Sequence, residues 1–283
     1  MRKLMLYFLL ITCFFLLVTS DFAIATENIY EIGFQTYVFA YPIVLMKATQ
    51  IKQNIPDNQF LHYRDLPLPS DRDIVRWNRD TLYSMAWLDL SEGPVLLTVP
   101  KTGDHYYLLQ MMDMWTDTFA GPSSRTTGSE GGQFLIVGPN WDGQLSSISL
   151  PNIDELINSY KLIKSSTNQV WIVGRTEIGG EDDYSSIHEI QDGYHLEKII
   201  DQKIKPSQKE ATSNNESHFL KITNEFKNGV LDPPQVIAQM DAATFFEIFS
   251  QLMIENPPHI NDWPMVAIMS KIGIIPGKMS IGA

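Results

Sequence analysis

The chain has 283 residues, 44% of them hydrophobic, and carries 33 acidic against 21 basic side chains, a formal net charge of −12. This length can fill one large or two modest hydrophobic cores. The acidic balance argues against nucleic acid and anionic membranes as partners, because both are bound through basic patches. We therefore expect a neutral, cationic or protein partner.

The first 25 residues have the pattern of a signal peptide. Arg2 and Lys3 precede an apolar run from Leu4 to Val18, and the segment closes on Ala23-Ile24-Ala25. Signal peptidase cleaves the chain after small residues in this arrangement. The run is short for a membrane span, so cleavage is favoured over a retained anchor. We expect a periplasmic or secreted protein.

Cleavage before Thr26 changes the composition of the chain. It removes Arg2, Lys3 and Asp21, so the net charge changes from −12 to −13, and it removes Cys13, the only cysteine. Lipidation of Cys13 is set aside because the apolar run continues past it. The exported chain then has no thiol, so its stability must come from a hydrophobic core and not from disulfides.

Residues from Glu27 to about Gln50 are predicted to form a helix. Apolar side chains recur at spacings of three and four, which is typical of one buried helix face: Tyr30, Phe34, Tyr37, Val38, Tyr41 and Leu45. Pro42 is expected to kink or divide this helix. Residues 51–76 contain several prolines, asparagines and aspartates and predict a loop.

Short β-branched and aromatic runs then predict strands. They are Tyr83–Leu90, Pro94–Pro100, His105–Met112, Gln133–Gly138 and Gln169–Gly174. Lys101-Thr102-Gly103-Asp104, between the second and third runs, is typical of a hairpin turn. Several short strands separated by turns predict an antiparallel β-sandwich.

The C-terminal half is predicted to be more helical. Short helices are expected over Asp154–Leu162, Asp183–Ile200, Ala242–Met253 and Asn261–Ile274, with Asn256-Pro257-Pro258 ending the third. Residues 202–217 are polar and predict a linker. The predicted organisation is a signal peptide (1–25), a β-sandwich domain with an N-terminal helix (26–201), the linker (202–217) and a helical module (218–283).

Common catalytic motifs are missing from the sequence. It contains no GxSxG, HExxH, Walker or GxGxxG pattern, and no thiol after cleavage. This argues against an enzyme, but it leaves open chemistry by carboxylates and tyrosine, which needs no compact motif.

A first polar cluster spans Trp77 to Ser84, just before a predicted strand. Asn78 and Arg79 are candidate ligand-binding residues, and Asp80 and Tyr83 are candidate catalytic residues, because functional loops border the strands of a sandwich. The structural alternative is that Asn78 and Asp80 satisfy turn backbone groups.

A second cluster contains Asp113, Trp115 and Asp117, followed by Arg125; Trp115 and Arg125 are candidate ligand-binding residues, and Arg125 would balance the charge of the acids. Two neighbouring carboxylates can act as an acid and base pair or bind a divalent cation, and the indole suits a sugar-like ligand. On a continuous strand the two carboxylates would lie roughly 13 Å apart, too far for a dyad unless the strand ends between them. The structural alternative is an ion pair with Arg125.

The six histidines show no metal-ligand spacing along the chain. His105 lies in a predicted strand, and His188 and His195 lie on one face of a predicted helix. His259 follows Pro257-Pro258 in a polar turn, where it can orient a ligand or cap the next helix.

Several segments resemble an exported bacterial family called domain of unknown function 1254. They are Arg79–Leu90, Tyr106–Asp117, Tyr41–Met46 and Asn256–His259, so that the resemblance spans about Ile29 to Lys278. It implies an immunoglobulin-like β-sandwich followed by a small helical module, and no particular reaction. Members of the family generally continue into a jelly-roll domain, whereas this chain stops at Ala283, as a natural single-domain form or as the product of an interrupted gene.

The sequence therefore favours an exported β-sandwich that binds a small hydroxyl-rich or cationic ligand, or a protein. The alternative is an envelope hydrolase or other enzyme in which Asp80, Tyr83, Asp113 and Asp117 converge at one end of the sandwich, with or without a divalent cation; a third possibility is a purely structural remnant. Homo-oligomers are also expected, through apolar residues of the helical module that have no cover: Phe246, Ile248, Met265 and Ile268.

Overall fold

The computed structural model describes residues 2–68, 77–141, 160–199 and 231–279, with side chains from Asn28 onward. The first helix is α1 (Arg2–Gln53). Strands β1 to β8 follow, at Gln59–His62, Thr81–Asp89, Val95–Val99, Tyr107–Asp113, Thr118–Ala120, Gly132–Val137, Lys161–Lys164 and Gln169–Glu177. The remaining α-helices and strands are α2 (Tyr184–Asp192), β9 (His195–Lys198), α3 (Pro233–Ala238), α4 (Ala242–Glu255), α5 (Trp263–Met269), β10 (Ile274–Ile275) and β11 (Lys278–Met279), and short 3-10 helices lie at Glu181–Asp183, Ile260–Asp262 and Ser270–Ile272.

Most strands belong to two sheets. One has five strands in the order β1-β2-β8-β4-β5, and each neighbouring pair is antiparallel. The other has four strands in the order β7-β6-β3-β9, in which only the β6–β7 pair is parallel. The chain is therefore mainly β with added helices, as predicted. The immunoglobulin-like arrangement stays a prediction.

The five-stranded sheet is buried on both faces. Along β2, successive side chains alternate between two apolar cores, as the pleat of a strand requires. One core lies between the two sheets and includes Leu82, Ala86 and Leu88 with Leu97 and Phe134 of the smaller sheet. The other core lies between the larger sheet and the helices and includes Tyr83, Met85 and Trp87 with Val44 and Phe249. The molecule thus has three layers: helices, larger sheet and smaller sheet.

The helical layer combines the C-terminal half of α1 with α3, α4 and α5. Asp241 caps α4 by accepting a hydrogen bond from the backbone N–H of Thr244 at 2.9 Å. Pro264 lies in the first turn of α5, where its missing N–H costs no helical hydrogen bond. These local signals explain why the predicted C-terminal helices form. No helix in the described part of the chain is long and apolar enough to cross a membrane.

The prediction for the first helix was partly wrong. Pro42 lies inside α1 and does not divide it. The side chains of Tyr30, Phe34 and Val38 are exposed, at 76%, 56% and 56%. The buried side chains of α1 include Thr36, Ala40, Ile43, Val44 and Ala48, whose small or aliphatic groups allow close packing against the other helices.

Two further predictions failed because strand pairing is non-local. Lys101–Asp104 is not a hairpin turn, since β3 and β4 belong to different sheets and the segment crosses between them. The helix predicted over Asp183–Ile200 ends at Asp192. His195 therefore lies in β9, paired with Thr98 of β3, and does not share a helix face with His188.

The loop prediction over residues 51–76 is partly wrong, because strand β1 lies within it. Two other predictions fall mainly outside the described residues. The helix predicted over Asp154–Leu162 reaches the described part only at its end, where Lys161 and Leu162 belong to β7. The predicted linker, residues 202–217, lies outside it entirely.

Candidate functional site

A tight turn joins β4 to β5 and brings Asp117 back beside Asp113. β4 ends at Asp113, whose backbone N–H donates to the carbonyl of Asp117 at 3.0 Å, and the N–H of Thr116 donates to the carbonyl of Asp113 at 3.1 Å. Thr116 has a φ of 72°, in the left-handed region that few β-branched residues adopt. The strand thus ends between the two carboxylates, which removes the separation of an extended chain.

The carboxylate of Asp113 is buried, with 1% of the residue exposed. Its Oδ1 accepts hydrogen bonds from the backbone N–H groups of Trp115 at 2.9 Å and Asp117 at 3.0 Å. Its Oδ2 accepts a hydrogen bond from the hydroxyl of Ser166. These three donors fix the orientation of the carboxylate.

His259 reaches the same carboxylates from the helical layer. It follows Asn256, the last cap residue of α4, and two prolines that cannot continue that helix. Its Nε2 lies 3.4 Å from Oδ2 of Asp113 and 3.6 Å from Oδ2 of Asp117. One potential ligand atom from each of the three residues lies within 4.8 Å of the others. We call Asp113, Asp117 and His259 the hairpin-loop site.

The hairpin-loop site opens to solvent on one side. Asp113 is buried, whereas the side chains of Asp117 and His259 are 72% and 33% exposed. Across the described residues, no lysine or arginine forms a salt bridge with either carboxylate. The site can therefore accept a positively charged group from solution.

Two neighbours expected at this site lie elsewhere. Trp115 is only 7% exposed, and its ring packs 5.1 Å from Phe39 and edge-on to Phe249. It is a core side chain and not a stacking surface for a sugar. Arg125 lies over the ring of Tyr106, 5.7 Å from its centroid, so the alternative of an Asp–Arg125 ion pair is wrong.

The first polar cluster divides into exposed and buried groups. Asn78, Arg79 and Asp80 are exposed. Tyr83 is 5% exposed, its hydroxyl accepts a hydrogen bond from the backbone N–H of Asn78 at 2.8 Å, and Arg175 lies over its ring. Tyr83 thus anchors the entry to β2.

The predicted convergence of Asp80 with Asp113 is wrong. Asp80 precedes Thr81, which pairs with Glu177 at one end of β8, whereas Asp113 pairs with Val170 at the other end. Seven residues of strand separate these two pairs, a distance of about 24 Å. The two carboxylates lie at opposite ends of the larger sheet and do not line one pocket.

Sequence reasoning missed the segment that supports Asp113. Ser166 bonds its carboxylate, and the hydroxyl of Thr167 accepts a hydrogen bond from the backbone N–H of Met114 at 3.2 Å. The sequence signal is the run Ser165-Ser166-Thr167 directly before the predicted strand at Gln169. Locating it beside Asp113 requires the β4–β8 pairing, which periodicity does not show.

Comparison with known families identifies the larger part of the described fold. The family described as "Protein of unknown function (DUF1254)" matches residues 57–198, half of the chain. The chain belongs to the DUF1254 family. The match confirms the resemblance stated above and covers β1 to β9, including Asp113 and Asp117. His259 lies beyond it. No curated protein matches the chain.

Two solved structures are similar to this DUF1254 chain. The VPA0106 protein from Vibrio parahaemolyticus has a TM-score of 0.60 at 22% identity, over 90% of this chain and 54% of that one. An uncharacterized protein from Burkholderia cenocepacia has a TM-score of 0.36 at 12% identity, over 78% of this chain and 60% of that one. The chain therefore spans just over half the length of the Vibrio structure, which shares its fold.

Proposed function

We propose that this protein is an exported binding protein that holds a cationic ligand at the hairpin-loop site. The observation that carries this proposal is the meeting of two carboxylates and an imidazole at an edge open to solvent, with no basic side chain in the described part forming a salt bridge with either carboxylate. A ligand cation would balance the charge of Asp113 and Asp117. Loops at the end of a β-sandwich commonly carry such binding sites.

Export is the second element of the proposal. The basic residues, apolar run and small-residue pattern of the first 25 residues support a cleaved signal peptide. The acidic net charge, −12 for the whole chain and −13 after cleavage, supports attraction of cations over anions. On this proposal the protein acts in the periplasm or outside the cell, and its two sheets form the immunoglobulin-like sandwich that the family resemblance implies.

The position of the site favours a cationic ligand over a hydroxyl-rich one. Recognition of sugars typically relies on an exposed aromatic face, and Trp115 is buried in the core beside Phe39. The enzyme alternative that combines Asp80 and Tyr83 with the two hairpin carboxylates lacks a common pocket, because about 24 Å separates their strand ends.

Thermal unfolding of the exported protein tests this function. We expect at least one of a panel of small cations to raise the melting temperature: Zn²⁺, Mn²⁺, Ca²⁺, Mg²⁺, choline and spermidine. A ligand at a hundred times its Kd adds about 2.7 kcal/mol to stability. Asp117→Asn keeps the shape of an exposed side chain and should reduce the shift, whereas Asp104→Asn, an exposed acid outside the site, should not. Equal shifts in both variants, or no shift with any cation, would exclude the proposed function.

A further inference from the structure

The imidazole of His259 lacks the partner that its burial demands. Its Nε2 is buried and has no hydrogen-bond partner within the described part of the chain, although two carboxylate oxygens lie 3.4 and 3.6 Å away. Buried polar atoms in native proteins nearly always have a partner, so this atom needs an explanation. An imidazolium bound between two carboxylates would donate a hydrogen bond to one of them, and neither contact is a hydrogen bond.

We propose that the hairpin-loop site binds a divalent transition-metal ion of the Zn²⁺ class, through Oδ2 of Asp113, Oδ2 of Asp117 and Nε2 of His259. This inference rests on the proposed function and names the cation. Ligand bonds of about 2.1 Å in a tetrahedron place neighbouring ligand atoms roughly 3.4 Å apart. The two separations that involve Nε2 are 3.4 and 3.6 Å, so the imidazole already lies at tetrahedral distances from both carboxylates.

The ligand set selects the class of metal. Ca²⁺ and Mg²⁺ require six or more oxygen ligands or an octahedral shell rich in water, and they rarely take an imidazole. One imidazole nitrogen with two carboxylate oxygens suits Zn²⁺ and related ions. A metal ion would also accept the Nε2 lone pair, which gives the buried nitrogen its missing partner.

The surroundings of Asp113 have the second shell of a metal site. Its Oδ1 accepts two backbone N–H groups, and Ser166 donates to its Oδ2, so the carboxylate is oriented before any ion arrives. Asp117 is 72% exposed and can adjust its position. The exposed side leaves a fourth coordination position for water or for a donor atom of a second ligand.

The ion would join two layers of the molecule. Asp113 and Asp117 belong to the β4–β5 hairpin of the larger sheet, whereas His259 lies between α4 and α5 in the helical layer. A bound metal therefore crosslinks the end of the sheet to the helices. Metal binding should stabilise the docking of the helical layer as well as the site itself.

Titration calorimetry with EDTA-treated exported protein, followed by Co²⁺ absorption spectroscopy, tests the proposal. We expect Zn²⁺ and Co²⁺ to bind one ion per chain, with the visible absorption of four-coordinate Co²⁺. Asp117→Asn and His259→Gln should each raise the Kd at least ~10-fold, since loss of supporting groups alone has effects of that size. His195→Gln, at an exposed histidine in β9, is the matched control and should bind like the unmodified protein.

The results separate this inference from the proposed function. If choline, spermidine or Ca²⁺ stabilises the protein through Asp117 and neither Zn²⁺ nor Co²⁺ binds, the proposal of a transition-metal ion is wrong. The cation-binding function would still stand. If His259→Gln binds Zn²⁺ with unchanged affinity, the proposed metal site with His259 as a ligand is wrong. Absence of every cation effect would overturn both.

Discussion

At the scale of single residues, Asp113 links the structure of the hairpin to its proposed chemistry. The carboxylate that would bind a cation also satisfies two backbone N–H groups of the turn. Because Asp113 is buried, water cannot replace it as the acceptor of these two N–H groups. The turn therefore needs the carboxylate at this position. Asp117, four residues later, is exposed and has no such role.

Asp113→Ala should destabilise the protein far more than Asp117→Ala. Removing the buried acceptor leaves the N–H groups of Trp115 and Asp117 unpaired, which should cost about 2–4 kcal/mol. Because Asp117 is exposed, Asp117→Ala should change the free energy of unfolding by no more than about 0.5 kcal/mol. Urea unfolding of both variants in EDTA measures the difference, and equal effects would show that the hairpin does not depend on Asp113.

Thr116→Gly should stabilise the protein. Thr116 is an exposed β-branched residue with a φ of 72°, so glycine relieves backbone strain without loss of buried contacts. After the entropy that glycine adds to the unfolded chain, a net gain of about 0.5–1 kcal/mol is expected. Thr116→Val keeps the β-branch and should give no gain. If urea unfolding shows that Thr116→Gly is less stable than the unmodified protein, the backbone at Thr116 is not strained.

The site residues could be identified from the sequence, but their grouping could not. Asp113, Asp117 and His259 were candidates because acids and a histidine flanked predicted strands and prolines. Joining them requires the turn at Thr116 and the docking of the α4–α5 loop onto the sheet, and both depend on non-local packing. For the same reason Asp80, equally polar and equally close to a strand, could not be excluded.

At the scale of elements, the sequence predicted those strands and helices whose own residues carry a composition or capping signal. The central strand β8 is rich in β-branched and aromatic residues, and α4 has a capping residue and a proline stop. β9 reads His-Leu-Glu-Lys and forms because β3 offers an open edge, which local sequence does not reveal. In α1, apolar residues occur on more than one face, so periodicity could not choose the buried one.

A polar network ties β1 and β2 to α2 and should make stability depend on pH. Nδ1 of His62 lies 2.9 Å from the hydroxyl of Ser84, which also accepts a hydrogen bond from the side chain of Gln191 at 3.2 Å. Burial lowers the pKa of His62, the nearby Arg64 lowers it as well and Asp192 opposes the change, and together these effects bring the pKa to about 4. The folded protein therefore keeps His62 neutral well below its ordinary pKa.

Stability should fall as the pH is lowered from about 6.5 to about 4, because the unfolded chain binds a proton at His62 in this range and the folded chain does not. His62→Gln removes that proton and retains a polar group beside Ser84, so its stability should depend less on pH. Urea unfolding at pH 7 and pH 4.5 compares the two proteins. His195→Gln is the control, and the same pH dependence in all three would contradict this account.

At the scale of the whole molecule, the prediction of export rests on the first 25 residues, which lie outside the family match. We expect bacterial export to yield a mature protein that begins at Thr26, because Ala23 and Ala25 supply the small residues that signal peptidase requires. Ala25→Asp should block cleavage, and Ile24→Thr should not. Mass spectrometry of the exported protein provides the measurement, and an intact Met1 leader would refute the cleavage.

The oligomer expected from the sequence needs different contact residues. Ile248 is buried at 1% exposure, so it cannot form an interface, and Phe246, Met265 and Ile268 are partly buried. The large apolar side chains that the C-terminal helices and strands do expose are Ile254 at 58%, Ile260 at 82%, Trp263 at 59% and Ile275 at 40%. Ile254 lies beside Gly277 in the β10–β11 turn, close to Ile275.

These exposed residues predict self-association that weakens when charge is added. Ile254→Glu with Ile260→Glu should shift the protein toward the monomer, because burying two carboxylates in an apolar contact is unfavourable, whereas a contiguous exposed apolar surface favours association. Leu162→Glu, an equally exposed site at 57% in β7, is the matched control. Light scattering over a range of concentrations measures the oligomeric state. A monomer at every concentration, or an equal shift with the control, would show that the C-terminal helices are not the contact surface.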